Sequence, residues 1–107
     1  MLESEYQAQL RRKIEKLLPG CYVFKNDPEV NMQGVPDLTV LYHDRWGMLE
    51  VKANAKAPYQ PNQEYYLEKF HEMSFSATIY PENEEEVLNE LQRSLTPRRN
   101  PRVPKRK

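Results

Sequence analysis

Hydrophobic positions alternate with polar ones in two distinct rhythms along the chain. From Glu3 to Leu18, Tyr6, Leu10, Ile14 and Leu17 fall on one stripe at about 100° per residue, which predicts an amphipathic helix. Pro19-Gly20 breaks it. Cys21 to Lys25 then alternates around Val23 and Phe24 as a first strand, and Asn26 to Gly34 is a polar loop with Pro28 and Gly34. Leu38 to Tyr42 and Met48 to Lys52 predict two strands of an antiparallel hairpin around the turn His43 to Gly47. After the loop Ala53 to Gln60, Pro61 fits the first turn of a second helix reaching about Met73, with Tyr66 or Leu67, Phe70 and Met73 as its buried stripe. Ser76 to Tyr80 predicts a short strand. Asn83, with Glu86 three residues on, resembles a capping box opening a last helix through Leu95, whose apolar face is Val87, Leu88, Leu91 and Leu95. The expected architecture is α/β in the order α-β-β-β-α-β-α, with a mixed central sheet flanked by helices and no internal repeat.

The hairpin concentrates the chemistry. It brings Asp37, just before the first of its strands, near Glu50 and Lys52 on the second, and period-2 alternation puts Glu50 and Lys52 on one face with Leu49 and Val51 on the other. Two carboxylates plus substrate phosphate oxygens are enough to hold Mg²⁺, which keeps several of its waters. Such an ion polarises a phosphodiester and activates water, while Lys52 could orient or help deprotonate that water or stabilise the developing charge. A turn aspartate and a solvated cross-strand ion pair is the competing explanation. Met48, Leu49 and Val51 argue against it, because they make this a central strand in which buried charges need a reason.

Gly34-Val35-Pro36-Asp37-Leu38, then Glu50-Val51-Lys52, then Gln63 opening the next helix, resembles the PD-(D/E)xK nuclease superfamily. The likeness is strongest to its small virus-type replication-repair nuclease branch, and it spans roughly residues 3 to 80, including the first helix and the Tyr-Val-Phe-Lys strand. The resemblance implies a restriction-endonuclease-like core and a metal-dependent nuclease. Asp37, Glu50 and the Val51 carbonyl would be ligands of Mg²⁺ or Mn²⁺, Lys52 the catalytic lysine, and Gln63 a further site residue. It also implies a glutamate from the first helix. Glu3 lies in phase with Leu10 and Ile14 whereas Glu5 projects to the opposite side, so Glu3 is assigned to the site as a catalytic and metal-binding residue, with Gln7 one turn on able to assist. A first-turn acid favourable to the helix dipole is the alternative for Glu3. Small stand-alone members are often homodimers acting on branched DNA, such as four-way junctions or flaps, and are frequent in phage genomes. The exposed face of the Leu88 and Leu91 helix, or the aromatic second helix, would form the dimer interface.

Charge adds a second clue. The 107 residues balance 16 basic against 16 acidic side chains, yet residues 96–107 hold Arg98, Arg99, Arg102, Lys105, Arg106 and Lys107 without an acid. Pro97, Pro101 and Pro104 keep this segment from forming a helix, so residues 1–95 are expected to be the nuclease domain and 96–107 a flexible basic tail that binds phosphates without sequence preference. Lys25 and Lys56 would extend the nucleic-acid contact, with Tyr59 stacking on a base or packing beneath its loop. Packing is the commoner use of Tyr59, Tyr65 and Tyr66, and a solvated helix face accounts for Arg11, Arg12 and Lys13 as well as a positive surface does.

Other classes recede. No apolar run approaches membrane-spanning length, no signal peptide is visible, and a cytoplasmic setting (the host's, if the source is viral) is the default expectation. One cysteine, Cys21, excludes an internal disulfide, and with the distant His43 and His71 it makes no structural zinc set. A non-catalytic nucleic-acid-binding module relying on the basic tail is the main alternative to a metal-dependent endodeoxyribonuclease. An interaction protein with an acidic body and basic tail is the second.

Overall fold

A computed structural model describes residues 1–27 and 32–97 of the chain. It is a small α/β domain: a four-stranded mixed sheet flanked by helices. The elements are α1 (Glu3–Leu17), β1 (Tyr22–Lys25), β2 (Leu38–Tyr42), β3 (Arg45–Val51), α2 (Gln63–Met73), β4 (Phe75–Ile79) and α3 (Glu84–Leu95), with a 3-10 turn at Pro81–Asn83 before α3. The sheet order is β1-β2-β3-β4; β1–β2 and β2–β3 are antiparallel and β3–β4 parallel.

Two helical stripes and one sheet face make the core. Tyr6, Leu10, Ile14 and Leu18 from the α1 segment and Val87, Leu91 and Leu95 from α3 close on Val23, Leu38, Val40, Leu49, Val51, Phe75 and Ile79. A shared carboxylate ties the two helices further, since Glu84 accepts the Tyr6 hydroxyl at 2.9 Å and pairs with Lys13. At the start of α1 the Leu2 N–H donates to Glu5 Oε1 at 3.2 Å, so Glu5 caps the helix. Pro19 and Gly20, the latter at φ +92°, end it.

Three local expectations are corrected. The hairpin turn is not His43 to Gly47 but the two residues His43 and Asp44, with His43 at φ +57°; Arg45, Trp46 and Gly47 already belong to β3, and Tyr42 pairs with Arg45. Strand twist favours such tight turns with positive φ, and here a histidine supplies it without the usual glycine. Asn83 does not cap α3: its carboxamide accepts the Tyr80 N–H at 2.8 Å and donates to the Thr78 carbonyl at 3.0 Å, closing the 3-10 turn instead. Helix α2 begins at Gln63 after a left-handed Asn62, leaving Pro61 outside, and it buries no residue completely. Tyr66, Leu67 and Phe70 are half-buried and Met73 is 69% exposed, so Met73 is not part of a buried stripe.

The reason lies in the layering. Trp46, Met48 and Glu50 alternate away from the Leu49 and Val51 core face, and α2 covers that second face only in part, through the edge-on contact of Phe70 with Trp46 and the stack of Tyr66 on Phe70. On the same face Tyr22, Phe24 and Leu41 of β1 and β2 stay exposed. Leu91 is fully buried and the half-buried Leu88 packs against the core, so the apolar face of α3 is spent inside the domain. Cys21 is a free, half-buried thiol packed against the core. Among the described residues no helix is long and apolar enough to cross a membrane.

Candidate active site

Asp37 stands one residue before β2, whose Leu38 pairs with Leu49, so it meets the C-terminal end of β3. Its Oδ2 accepts the Val51 N–H at 2.8 Å, which fixes the carboxylate against the strand that carries Glu50. A buried Asn26 secures the approach. Its side chain donates to the Pro36 carbonyl at 2.8 Å and accepts from Thr39 Oγ1 at 2.9 Å, while its N–H donates to the Asp37 carbonyl at 2.7 Å. The carbonyls of Pro36 and Asp37 are thus both held by one residue.

Glu50 and Lys52 are 2% and 6% exposed, an unusual depth for two charges. Their head groups lie 3.5 Å apart, and Gln63 joins them. Gln63 Nε2 donates to Glu50 Oε2 at 2.9 Å, and Gln63 Oε1 accepts from Lys52 Nζ at 2.9 Å and from the Gln60 N–H at 2.7 Å. Lys52 Nζ also donates to the Pro58 carbonyl at 3.0 Å. Burial first, and then the negative charge of Asp37, push the Glu50 carboxyl up to about 8; the Lys52 ammonium opposes this without reversing it. The other carboxylate oxygen, Glu50 Oε1, is buried and accepts from no donor among the described residues. The Glu50 carboxyl also lies within hydrogen-bonding reach of Asp37, so the two share the proton while Glu50 holds it and form an oxygen pair that fits a divalent cation once it leaves.

The structure therefore brings together Asp37, Glu50, Lys52 and Gln63, with the Val51 backbone between them. It does not bring Glu3 to them. Glu3 is exposed in the first turn of α1, and among the described residues no group of three or more His, Cys, Asp or Glu side chains gathers around a common point. Gln7 is half-buried on the same helix.

Beside Asp37 opens a cleft of about 350 Å³, lined by Lys25, Asn26, Gln33, Gly34, Gln60 and Gln63 among others. Lys25 is exposed at its rim, so a cation faces the side from which Asp37 is reached. Lys56 is exposed elsewhere on the 53–60 loop, where its N–H is held by Asn54 Oδ1 at 2.9 Å. Tyr59 is 42% exposed, but its hydroxyl bonds Thr78 Oγ1 at 2.6 Å and its ring lies 5.5 Å from Lys52 Nζ. Arg98, Arg99 and Arg102 lie outside the described residues.

Asn26, Thr39, Pro58 and Thr78 support the site without any sequence reading having singled them out. Alternation places Asn26 and Thr39 on the face of Tyr22, Phe24 and Leu41, away from the core, so it gives no sign of their burial, and a backbone carbonyl such as that of Pro58 carries no signal either. Comparison of the chain with protein families, with curated proteins and with solved structures finds no match, so the function has to be argued from the site itself.

Proposed function

We propose that this domain is a Mg²⁺- or Mn²⁺-dependent endodeoxyribonuclease of the PD-(D/E)xK type, with a restriction-endonuclease-like arrangement, hydrolysing DNA phosphodiester bonds. The observation that carries the reading is the buried Glu50 carboxyl set against the Asp37 carboxylate, with a buried lysine at the same strand end. Asp37 and Glu50, with the Val51 carbonyl, would hold the ion. When bound it supplies Lewis-acid stabilisation of the phosphate and activation of water.

The chain's own groups divide the remaining work. Asp37 is held against β3 by the Val51 N–H, and Glu50 must give up its proton for the ion to bind. Lys52 presents its ammonium at the edge of the carboxylate pair, where it can donate to a phosphate oxygen or to the attacking water. Gln63 bonds both Lys52 and Glu50 and so fixes the geometry of their 3.5 Å contact. Lys25 at the cleft rim and the cations of residues 98–107 are the phosphate-binding groups that supply affinity without reading sequence.

Selectivity for four-way junctions or flaps is the substrate reading that follows if two copies present two such sites, because paired sites at a fixed distance match two strands of a branched duplex. The half-covered sheet face with Tyr22, Phe24 and Leu41, next to α2 with exposed Tyr65 and Met73, is the surface left for a second copy. A non-catalytic nucleic-acid-binding module is the second reading, favoured by the basic segment 98–107, which needs no metal to hold DNA.

A time course on a labelled four-way junction and its matching linear duplex, in Mg²⁺, Mn²⁺ or EDTA, tests the reading against a Glu50→Ala control. Metal-dependent cutting that disappears in the control is the expected result. Intact DNA with tight binding in Mn²⁺ would replace the enzyme by the binding module.

A further inference from the structure

A lysine side chain has four rotatable bonds, so a defined ammonium position has to be imposed from outside. In this chain the loop that leaves β3 returns over Lys52 and imposes it. The Pro58 carbonyl accepts from Nζ at 3.0 Å, and the next residue, Tyr59, lays its ring 5.5 Å from the same nitrogen. The Tyr59 hydroxyl is in turn tied to Thr78 Oγ1 at 2.6 Å. Thr78 belongs to β4, where it is the parallel partner of Glu50 in β3. The carboxylate and the strap over the lysine are thus referred to the same pair of strands.

We propose that Tyr59 is a positioning residue for Lys52: its ring and the Tyr59–Thr78 hydrogen bond hold the 53–60 loop as a strap that fixes the ammonium beside Glu50. This rests on the nuclease reading for its consequence in catalysis, although the strap itself does not. It assigns Tyr59 a use other than stacking on a nucleobase, because its hydroxyl and one ring face are already committed within the domain. The ring face is engaged with a cation, an attraction that holds only while the ring stays over the ammonium. The edge is engaged with β4.

Four variants separate these uses: Tyr59→Phe, Thr78→Val, the double variant, and Tyr59→Leu. Positioning predicts that Tyr59→Phe and Thr78→Val each lower kcat about three- to tenfold with KM for DNA unchanged, the size of one lost hydrogen bond. The double variant should be no worse than either single one, because both remove the same bond. Tyr59→Leu should fall further, with Tyr59→Phe the partial rescue. Base stacking predicts the reverse pattern, with Tyr59→Phe behaving as wild type and Tyr59→Leu raising KM.

A second arm needs neither DNA nor metal. Competitive acetylation of the free protein with acetic anhydride, read by peptide mass spectrometry, gives the reactivity of Lys52 relative to the exposed Lys16 in the same molecule. Loss of the strap in Tyr59→Leu should raise the Lys52 rate several-fold while Lys16 stays constant. An unchanged Lys52 rate overturns the proposal whatever the cleavage assay shows. A raised rate in a protein whose wild type cuts no DNA upholds the strap and removes the nuclease reading instead.

Discussion

Gln63 Oε1 accepts a hydrogen bond from Lys52 Nζ at 2.9 Å, and the other end of the same carboxamide donates to Glu50 at 2.9 Å. A neutral side chain thus bridges a buried lysine and a buried glutamate whose head groups lie 3.5 Å apart. Desolvation makes such a buried pair a poor source of stability, so the proposed function gives it a use that folding alone does not.

Replacing that bridge gives the first prediction. Gln63→Ala leaves both buried charges short of a partner and should cost about 1–3 kcal/mol of stability. Cleavage should fall at least tenfold while DNA affinity is unchanged, since Gln63 sets the Lys52–Glu50 separation. Urea unfolding and single-turnover cleavage measure the two; normal cleavage by a folded Gln63→Ala would remove Gln63 from the site.

Glu50 makes stability depend on pH in the opposite sense to ordinary acid unfolding. Unfolded, its carboxyl titrates near 4.5; folded, burial and Asp37 push it up to about 8. Between those values the folded chain holds a proton that the unfolded chain has released. Its contribution is therefore complete below about 4.5, declines as pH rises, and stops declining above about 8. Glu50→Gln, which imitates the protonated form, should be more stable than wild type at pH 8 and have a flatter profile between pH 5.5 and 8. Denaturant midpoints across that range in EDTA decide it; parallel profiles for the two proteins would contradict the assignment.

Metal binding should carry the same proton. Ligation requires the ionised carboxylate, so below about pH 8 each ion bound releases up to one proton from Glu50. Calorimetric titrations with Mn²⁺ in two buffers of different ionisation enthalpy should show that release at pH 6.5 and its loss at pH 9. Affinity should climb by up to about tenfold per pH unit in between. Identical enthalpies in both buffers at pH 6.5 would mean that the ion does not bind through Glu50.

Much of this arrangement was legible in the sequence because short-range periodicity encodes it. Tyr6, Leu10 and Ile14 on α1 and Val87, Leu91 and Leu95 on α3 are spaced for one helix face, and the structure buries all six. Asp37 meets the end of β3 because an antiparallel hairpin brings its strand ends together whatever the turn. The turn itself was not legible, since no glycine marks which two residues close it and His43 takes the positive φ instead. For Glu3 helical phase gives only a direction around the axis of α1, and the structure leaves it exposed in the first turn. Asn26, Thr39 and the Tyr59–Thr78 strap depend on contacts between segments distant in sequence, and no local pattern announces those.

Gly34 couples the loop before Asp37 to the start of α2. Its φ is +95°, and a Cβ there would lie 2.6 Å from Asn62 Cβ and 2.8 Å from the Pro61 carbonyl oxygen. Gly34→Ala combines a disfavoured backbone with a clash against backbone that cannot step aside, and should cost about 1–3 kcal/mol or more. Because Asp37 and Gln63 flank that contact, cleavage should fall beyond what the lost stability accounts for. Assays well below the variant's Tm test this; full activity there would show that the site tolerates separation of the two segments.

The basic segment and the cleft rim should differ in how salt reveals them. Each neutralised phosphate contributes a slope of roughly −0.9 to log K against log salt on duplex DNA. Removing residues 98–107 deletes six cations and should flatten that slope by several units, while Lys25→Gln should flatten it by no more than about one. The two changes should also separate in kind. Lys25 lines the cleft beside Asp37, so its loss should lower cleavage of DNA already bound, whereas the truncated protein should cut at the wild-type rate once saturated. Binding titrations between 50 and 200 mM salt and single-turnover rates at saturating protein measure both. An unchanged slope after truncation would leave the domain itself as the DNA-binding surface.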